Sequence, residues 1–200
     1  MNMLRLVASG LALSSLVSCS DLLQPKPPVA ASYLYGDDPV TFKSPEDRLL
    51  QGHWDNDPSL TGPLHIVIDL NQQKMIYYKG NVEIGLAPIS TGKEGHGTPR
   101  GNFKILAKDA KKRSNSYGEL VDSSGNVVDP DFVMGAKPIP AGLKYRGAPM
   151  FSGMQIVGGF WMHEGEVTGY PVSHGCIRLP EKMAKIFYAN TPIGTPVTIR

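Results

Sequence analysis

Cysteine is nearly missing from this chain of 200 residues: there are two, Cys19 and Cys176. Two thiols so far apart cannot supply the disulfide framework that holds many small exported domains together, so a hydrophobic core must do that work. A strong excess of charge of one sign is missing as well. Twenty basic against eighteen acidic residues leave a formal net charge of +2, and phosphate backbones are bound by concentrated basic patches, so no nucleic-acid partner is expected. Beyond the first twenty residues no apolar run is long enough to span a bilayer, and no internal repeat is visible. Glycine and proline are abundant, at 22 and 17 residues. That usage fits many strands joined by turns better than a helical bundle. Hydrophobic residues at 41% suffice for the core of a single domain.

The N-terminus carries its own signal. Met1 to Arg5 is a short start with one positive charge, and Leu6 to Val17 is apolar but too short for a membrane-spanning helix, which reads as an export signal. It ends in Leu16-Val17-Ser18-Cys19, which resembles the lipobox of bacterial lipoproteins. The resemblance implies cleavage before Cys19 and attachment of acyl chains to it; several chains would hold the protein firmly at a membrane, where one is marginal. A plain secretory signal is the alternative. Loss of residues 1–18 removes Arg5, taking the formal charge from +2 to +1. Residues 19–62 lack periodicity and include Gln24-Pro25-Lys26-Pro27-Pro28, as expected of a flexible, partly extended linker. Within them Ser44-Pro45-Glu46-Asp47-Arg48-Leu49-Leu50 has the pattern of a helix start.

Residues 63–200 form the expected domain. His65 to Leu70, Met75 to Lys79 and Val82 to Ile89 are rich in strand formers, with Asn71-Gln72-Gln73 and Gly80-Asn81 as turns between them. Further strands are expected over Asn102–Ala107, Glu119–Val121, Asn126–Val128, Met154–Val157 and Phe160–His163, and over Val197–Ile199 at the end. A helix is predicted after Pro180, with Met183, Ile186 and Phe187 on one face. The sum is a mainly β (α+β) domain with one or two short helices.

Cys176 lies in Ser173-His174-Gly175-Cys176-Ile177-Arg178-Leu179. A lone thiol is either a packing residue or a reactive one. Attack on a carbonyl needs the thiolate, and so a base or a positive environment. His174 is two residues away, a spacing that in a tight turn points it elsewhere. His163 ends a strand and precedes the loop Glu164–Val172, which can fold back to bring its imidazole against the sulfur, and His163 is taken as the base. Backbone N–H groups around Gly175 and Cys176 are the candidate oxyanion site, glycine allowing close approach. A zinc site would want more cysteine or histidine ligands, so no metal or other cofactor is expected. His96, His65 and His53 read as turn, structural or exposed residues, Phe160, Trp161 and Met162 as core or pocket wall, and Tyr170 as a loop aromatic over the cleft.

His163, a loop and the motif Ser173 to Leu179 together resemble the signature of the L,D-transpeptidases, the YkuD-type peptidoglycan cross-linking enzymes. Two upstream stretches extend the resemblance over roughly Pro63 to Arg200: Ile66 to Gln73 is similar to the family's opening hairpin, and Ser90-Thr91-Gly92-Lys93 with Gly97 to Phe103 to its glycine-rich segment. The resemblance implies a β-sandwich-like fold with the site at a sheet edge. It implies that Cys176 attacks the third residue of a tetrapeptide stem, typically meso-diaminopimelate, and expels D-alanine to leave a thioester. An amine of a second stem, a free D-amino acid or water would then resolve it. His163 would take the thiol proton and pass it to the leaving amine. His174 would orient the turn, and Arg178 would bind a stem carboxylate. Ser173, Gly175 and Tyr170 complete the expected substrate contacts. The loop after His163 is shorter than in many members, and Glu164 stands where glycine commonly follows the base; its backbone carbonyl can still orient the histidine.

Three function classes follow: an enzyme making or exchanging peptidoglycan links, a thiol hydrolase or enzyme anchoring proteins to the wall through the same intermediate, and a non-catalytic wall-binding lipoprotein. The expected partners are stem peptides and, through Cys19, a membrane; a monomer is expected. Ser20 follows Cys19 where, in well-studied Gram-negative sorting, aspartate favours inner-membrane retention. The expected location is therefore the periplasmic side of the cell envelope, at the outer membrane if the host is Gram-negative.

Overall fold

The computed structural model describes residues 52–200. The export signal, Cys19, the proline-containing linker up to residue 51 and the helix start at Ser44–Leu50 lie outside the described residues. In chain order the elements are β1 (His53–Trp54), β2 (Leu64–Asp69), β3 (Lys74–Lys79), β4 (Val82–Pro88), β5 (Gly101–Lys104), β6 (Ala107–Asp109) and β7 (Arg113–Val121). There follow β8 (Val127–Val133), β9 (Lys144–Pro149), β10 (Gly153–Val157), β11 (Phe160–Glu164), β12 (Ile177–Leu179), the helix α1 (Glu181–Asn190) and β13 (Pro196–Ile199).

Alternation along the strands makes the core. In β2 Ile66 and Ile68 are fully buried while His65, Val67 and Asp69 face the other way, and β3 does the same with Met75 and Tyr77. These residues belong to a six-stranded sheet of order β1-β4-β3-β2-β13-β5. A four-stranded sheet of order β12-β11-β10-β6 contributes Met154, Ile156, Met162, Ile177 and Leu179 to the same core, and α1 adds Met183 and Phe187. Each such side chain stabilises by about 1.5–3 kcal/mol on burial. A third sheet, β8-β7-β9, stands beside them and caps the site described below.

The expectations at β2, β3, β4, β10, β11 and β13 stand to within a residue or two. Pro180 is the N-cap of α1, and Met183, Ile186 and Phe187 are its buried face. One expected strand, Asn102–Ala107, is two. Gly101–Lys104 pairs with β13 in the first sheet and Ala107–Asp109 with β10 in the second. Between them Ile105 donates to Thr195 O at 3.0 Å and Leu106 to Gln155 O at 2.8 Å, so the chain crosses from one sheet to the other within two residues. The fold also extends ahead of residue 63. His53 and Trp54 pair with Leu86 and Gly85, and Trp54 meets Tyr77 edge-on at 5.0 Å and Phe187 at 5.7 Å.

The pairing that positions the site is parallel. β12 runs beside β11 with Met162 opposite Ile177 and His163 opposite Arg178. Met162 and Ile177 are buried on the core side. His163, Arg178 and, one residue before β12, Cys176 therefore project from the other face, toward β7–β9.

Candidate active site

The turn carrying Cys176 is built from its own short side chains. Ser173 Oγ donates to Cys176 O at 2.5 Å and accepts from Gly175 N–H at 3.1 Å. Gly175 has φ of 112°, and a Cβ there would lie 2.7 Å from Phe160 Cε1, so glycine is required twice over. Beneath the turn lies the glycine-rich segment. Thr98 Oγ1 donates to Gly175 O at 2.8 Å and accepts from Gly92 N–H at 3.0 Å. A Cβ on Gly92 would be 1.9 Å from His96 O and 2.9 Å from Gly175 Cα. Ser90 and Arg178 exchange both backbone hydrogen bonds, and Lys93 N–H donates to Ser173 O at 3.0 Å. Gln73, at the first turn, holds Thr91 through its side-chain amide at 2.8 and 2.9 Å. The motif stretches around residues 73, 90–93 and 97–103 are thus one buttress under one turn.

His163 is 7% exposed, and its Nδ1–H donates to Glu164 O at 2.6 Å. That bond leaves Nε2 of the neutral ring as an acceptor. Burial pulls its pKa down to about 4, aided by the charge of Arg178 and opposed by the Glu164 carbonyl, so the ring is neutral at pH 7. The Glu164 carboxylate lies on the opposite face of the strand, toward α1, where Lys185 feels its charge, and its Oε2 is buried without a hydrogen-bond partner. Only its backbone serves the histidine.

The Cys176 thiol is pushed up by burial, against which the backbone N–H of Trp161 and the charges of Arg178 and Lys112 act. Its Sγ lies 3.7 Å from Gly159 O. Both shifts favour the uncharged forms, a neutral thiol and a neutral imidazole.

A cavity of about 370 Å³ opens over the sulfur, lined by Cys176, His163, Arg178 and His174 from the main body and by Tyr117 and Met150 from the side of the capping sheet. His174 stacks on Tyr117 at 4.4 Å between ring centroids and meets His96 edge-on at 4.9 Å. Its pKa is lowered, first by burial and then by Lys93, His96 and Arg178. Tyr117 carries no sequence signal; it sits in a polar stretch and acquires its role only when β7 folds over the turn.

The structure separates the expected substrate contacts. Arg178 lines the cavity beside His163 and forms no ion pair among the described residues. Ser173, 1% exposed, spends its hydroxyl within the turn. Gly175 is buried and serves the turn's geometry; its N–H goes to Ser173, so of the two amides expected for an oxyanion only that of Cys176 remains. Tyr170 is 61% exposed and does not line the cavity. Among the described residues no group of three histidine, cysteine, aspartate or glutamate side chains could hold a metal ion.

Comparison with known proteins agrees with this architecture. The family model of the L,D-transpeptidase catalytic domain, YkuD, matches residues 63–199. A Bacillus subtilis (strain 168) protein named "Putative L,D-transpeptidase YqjB" is 26% identical over 140 residues, which is 70% of this chain and 73% of that protein. Among solved structures, an L,D-transpeptidase from Mycobacterium smegmatis superposes with a TM-score of 0.52 at 21% identity, covering 70% of this chain and 59% of the other. L,D-transpeptidase 3 from Mycobacterium tuberculosis, in complex with a faropenem-derived adduct, gives 0.50 at 21% identity over 68% and 60%. This chain therefore spans about three-fifths of the length of these solved relatives, and at such identities they speak for the fold. With the family model covering the sheets, the turn and its buttress, the chain belongs to the L,D-transpeptidase (YkuD) catalytic-domain family.

Proposed function

We propose that the protein is a cysteine-dependent L,D-transpeptidase acting on peptidoglycan tetrapeptide stems. The observation that carries this is the hydrogen bond from His163 Nδ1–H to Glu164 O: it presents an unprotonated Nε2 on the sheet face from which Cys176 projects, inside one cavity. As Sγ bonds to the carbonyl carbon of the third stem residue, the thiol proton passes to His163. Collapse of the tetrahedral adduct breaks the C–N bond, and the same proton leaves with the departing D-alanine amine. The result is a thioester. In the second half an amine attacks it, His163 takes a proton from that amine, and the sulfur leaves as the thiol. The Cys176 amide is the donor assigned to the developing charge, while the Trp161 N–H acts on the sulfur. We assign lipid attachment to Cys19, which places this chemistry at the periplasmic face of the membrane.

Chromatography of tetrapeptide stems incubated with the protein tests the reading. Released D-alanine in amounts equal to new products linked through the third residue supports it. Cleavage elsewhere in the stem, or identical products with Cys176→Ala, would overturn it.

A further inference from the structure

Lys112 was not singled out by any motif, yet its position is defined. The turn between β6 and β7 is closed by Asp109, whose carboxylate accepts from Lys111 N–H at 2.9 Å. Lys112 O accepts from Met150 N–H at 2.9 Å, and the turn sits against Gly153, where an added Cβ would lie 3.0 Å from Lys112 Cβ. The ammonium is held over the Trp161 ring, 5.2 Å from its centroid, and donates to Arg113 O at 2.6 Å and Asn115 Oδ1 at 3.5 Å. Both acceptors are uncharged, and one of the three ammonium donors is left over. Lys112 lines the cavity with Cys176 and, like Arg178, has no carboxylate partner among the described residues. Glu166, the acid of the exposed loop after β11, pairs with neither. Two cations without a carboxylate partner among the described residues thus line one cavity with the sulfur, Arg178 from the strand that follows it and Lys112 from the turn between β6 and β7. An ammonium without a carboxylate partner, on the wall of the cavity that holds a carbonyl-attacking sulfur, is a receptor for an anion carried close to the scissile bond.

We propose that Lys112 binds the carboxylate on the carbon that bears the reacting nitrogen, in both half-reactions. The inference rests on the acyl-transfer reading above. In the first half the leaving amine is an amino acid whose free carboxylate is the end of the stem. In the second, the acceptor amine must enter where the leaving amine departed, so an acceptor with an α-carboxylate sets that group on the same ammonium. Lys112 then selects donors that end one residue past the scissile bond, and acceptors that are α-amino acids rather than plain amines.

Alkylation of Cys176 in the full chain by iodoacetate and by neutral iodoacetamide reads the cation without requiring any peptide chemistry. The iodoacetate-to-iodoacetamide rate ratio should fall about three- to tenfold in Lys112→Met and Lys112→Gln and stay near wild type in Lys112→Arg; loss of a charge that favours the thiolate slows both reagents and cancels in the ratio. In turnover, wild type should prefer a tetrapeptide ending in a free acid over its C-terminal amide by about 10- to 100-fold, the scale of a charged hydrogen bond. Lys112→Met should erase most of that preference through KM, and Lys112→Arg should restore it. An acid-over-amide preference that survives Lys112→Met overturns the proposal, whatever the alkylation ratio does. If wild type turned over neither peptide, the acyl-transfer reading would fall, and an unchanged alkylation ratio would then separately dismiss Lys112 as an anion receptor.

Discussion

His163 is more deeply buried than a free base needs to be, and that burial defines the pH behaviour of the site. With its pKa near 4 the acid limb of the acylation rate should lie near pH 4 rather than near 6.5, because the ring stays able to accept a proton down to that pH. Stability follows with a definite sign. The folded-state value lies below the unfolded one, so the contribution is complete above about pH 6.5 and lost as pH falls toward 4, about 3 kcal/mol in all. A pH–rate profile beside denaturant unfolding at pH 7 and pH 4 checks both; an acid limb at 6.5 would assign the base elsewhere. His163→Ala should slow acylation by about two to four orders of magnitude, while His174→Ala should act through the turn and its stack on Tyr117, with a smaller loss. Single-turnover rates for the two variants decide it, and a reversed order would exchange their roles. Cys176 and His163 were legible in the sequence because each is a reactive residue type in a distinctive local setting. Tyr117 and Lys112 were not, since nothing local separates them from other tyrosines and lysines; the folding of β7 over the turn brings Tyr117 onto His174, and the packing of the β6–β7 turn against β11 brings Lys112 onto Trp161.

At the level of elements, the buttress explains why the motif segments far from the cysteine belong to the site. Thr98 joins Gly92 to Gly175, and both of its hydrogen bonds are buried or nearly so. Thr98→Val keeps the shape but leaves the Gly92 donor and the Gly175 acceptor unpaired, which should cost about 2 kcal/mol of stability and lower the acylation rate more than it changes substrate binding. Urea unfolding with a kcat-against-KM comparison checks this; a loss confined to KM would mean the turn does not depend on the buttress. Reading the glycine-rich stretch from sequence identified its likeness to the family but not its place, because hydrogen bonds between residues 77 positions apart leave no periodicity. The same limit broke the Asn102–Ala107 strand: its residue types suit a strand throughout, and the crossing between sheets is set by Thr195 and Gln155, distant in sequence. Strands with a clean alternation into one core, such as β2 and β3, were legible because burial and sequence period coincide.

For the whole molecule, the position of Trp54 matters most. It is 2% exposed and packs on Tyr77 and Phe187, so the folded unit begins before residue 63. Trp54→Ala should cost about 3–5 kcal/mol, and a chain starting at residue 52 should unfold at higher urea than one starting at 63; equal midpoints would return the boundary to 63. Cys19→Ala should release the protein from membrane fractions without changing turnover by the purified protein, since the segment before residue 52 carries no candidate catalytic residue; continued membrane association would place the anchor elsewhere. The proposed chemistry turns on one covalent bond. Intact-mass spectrometry of the protein with a tetrapeptide stem and no acceptor, followed by peptide mapping, should show an adduct equal to the stem minus alanine on the peptide carrying Cys176, and none in Cys176→Ala. An adduct on any other residue, or turnover with no adduct at Cys176, would contradict it.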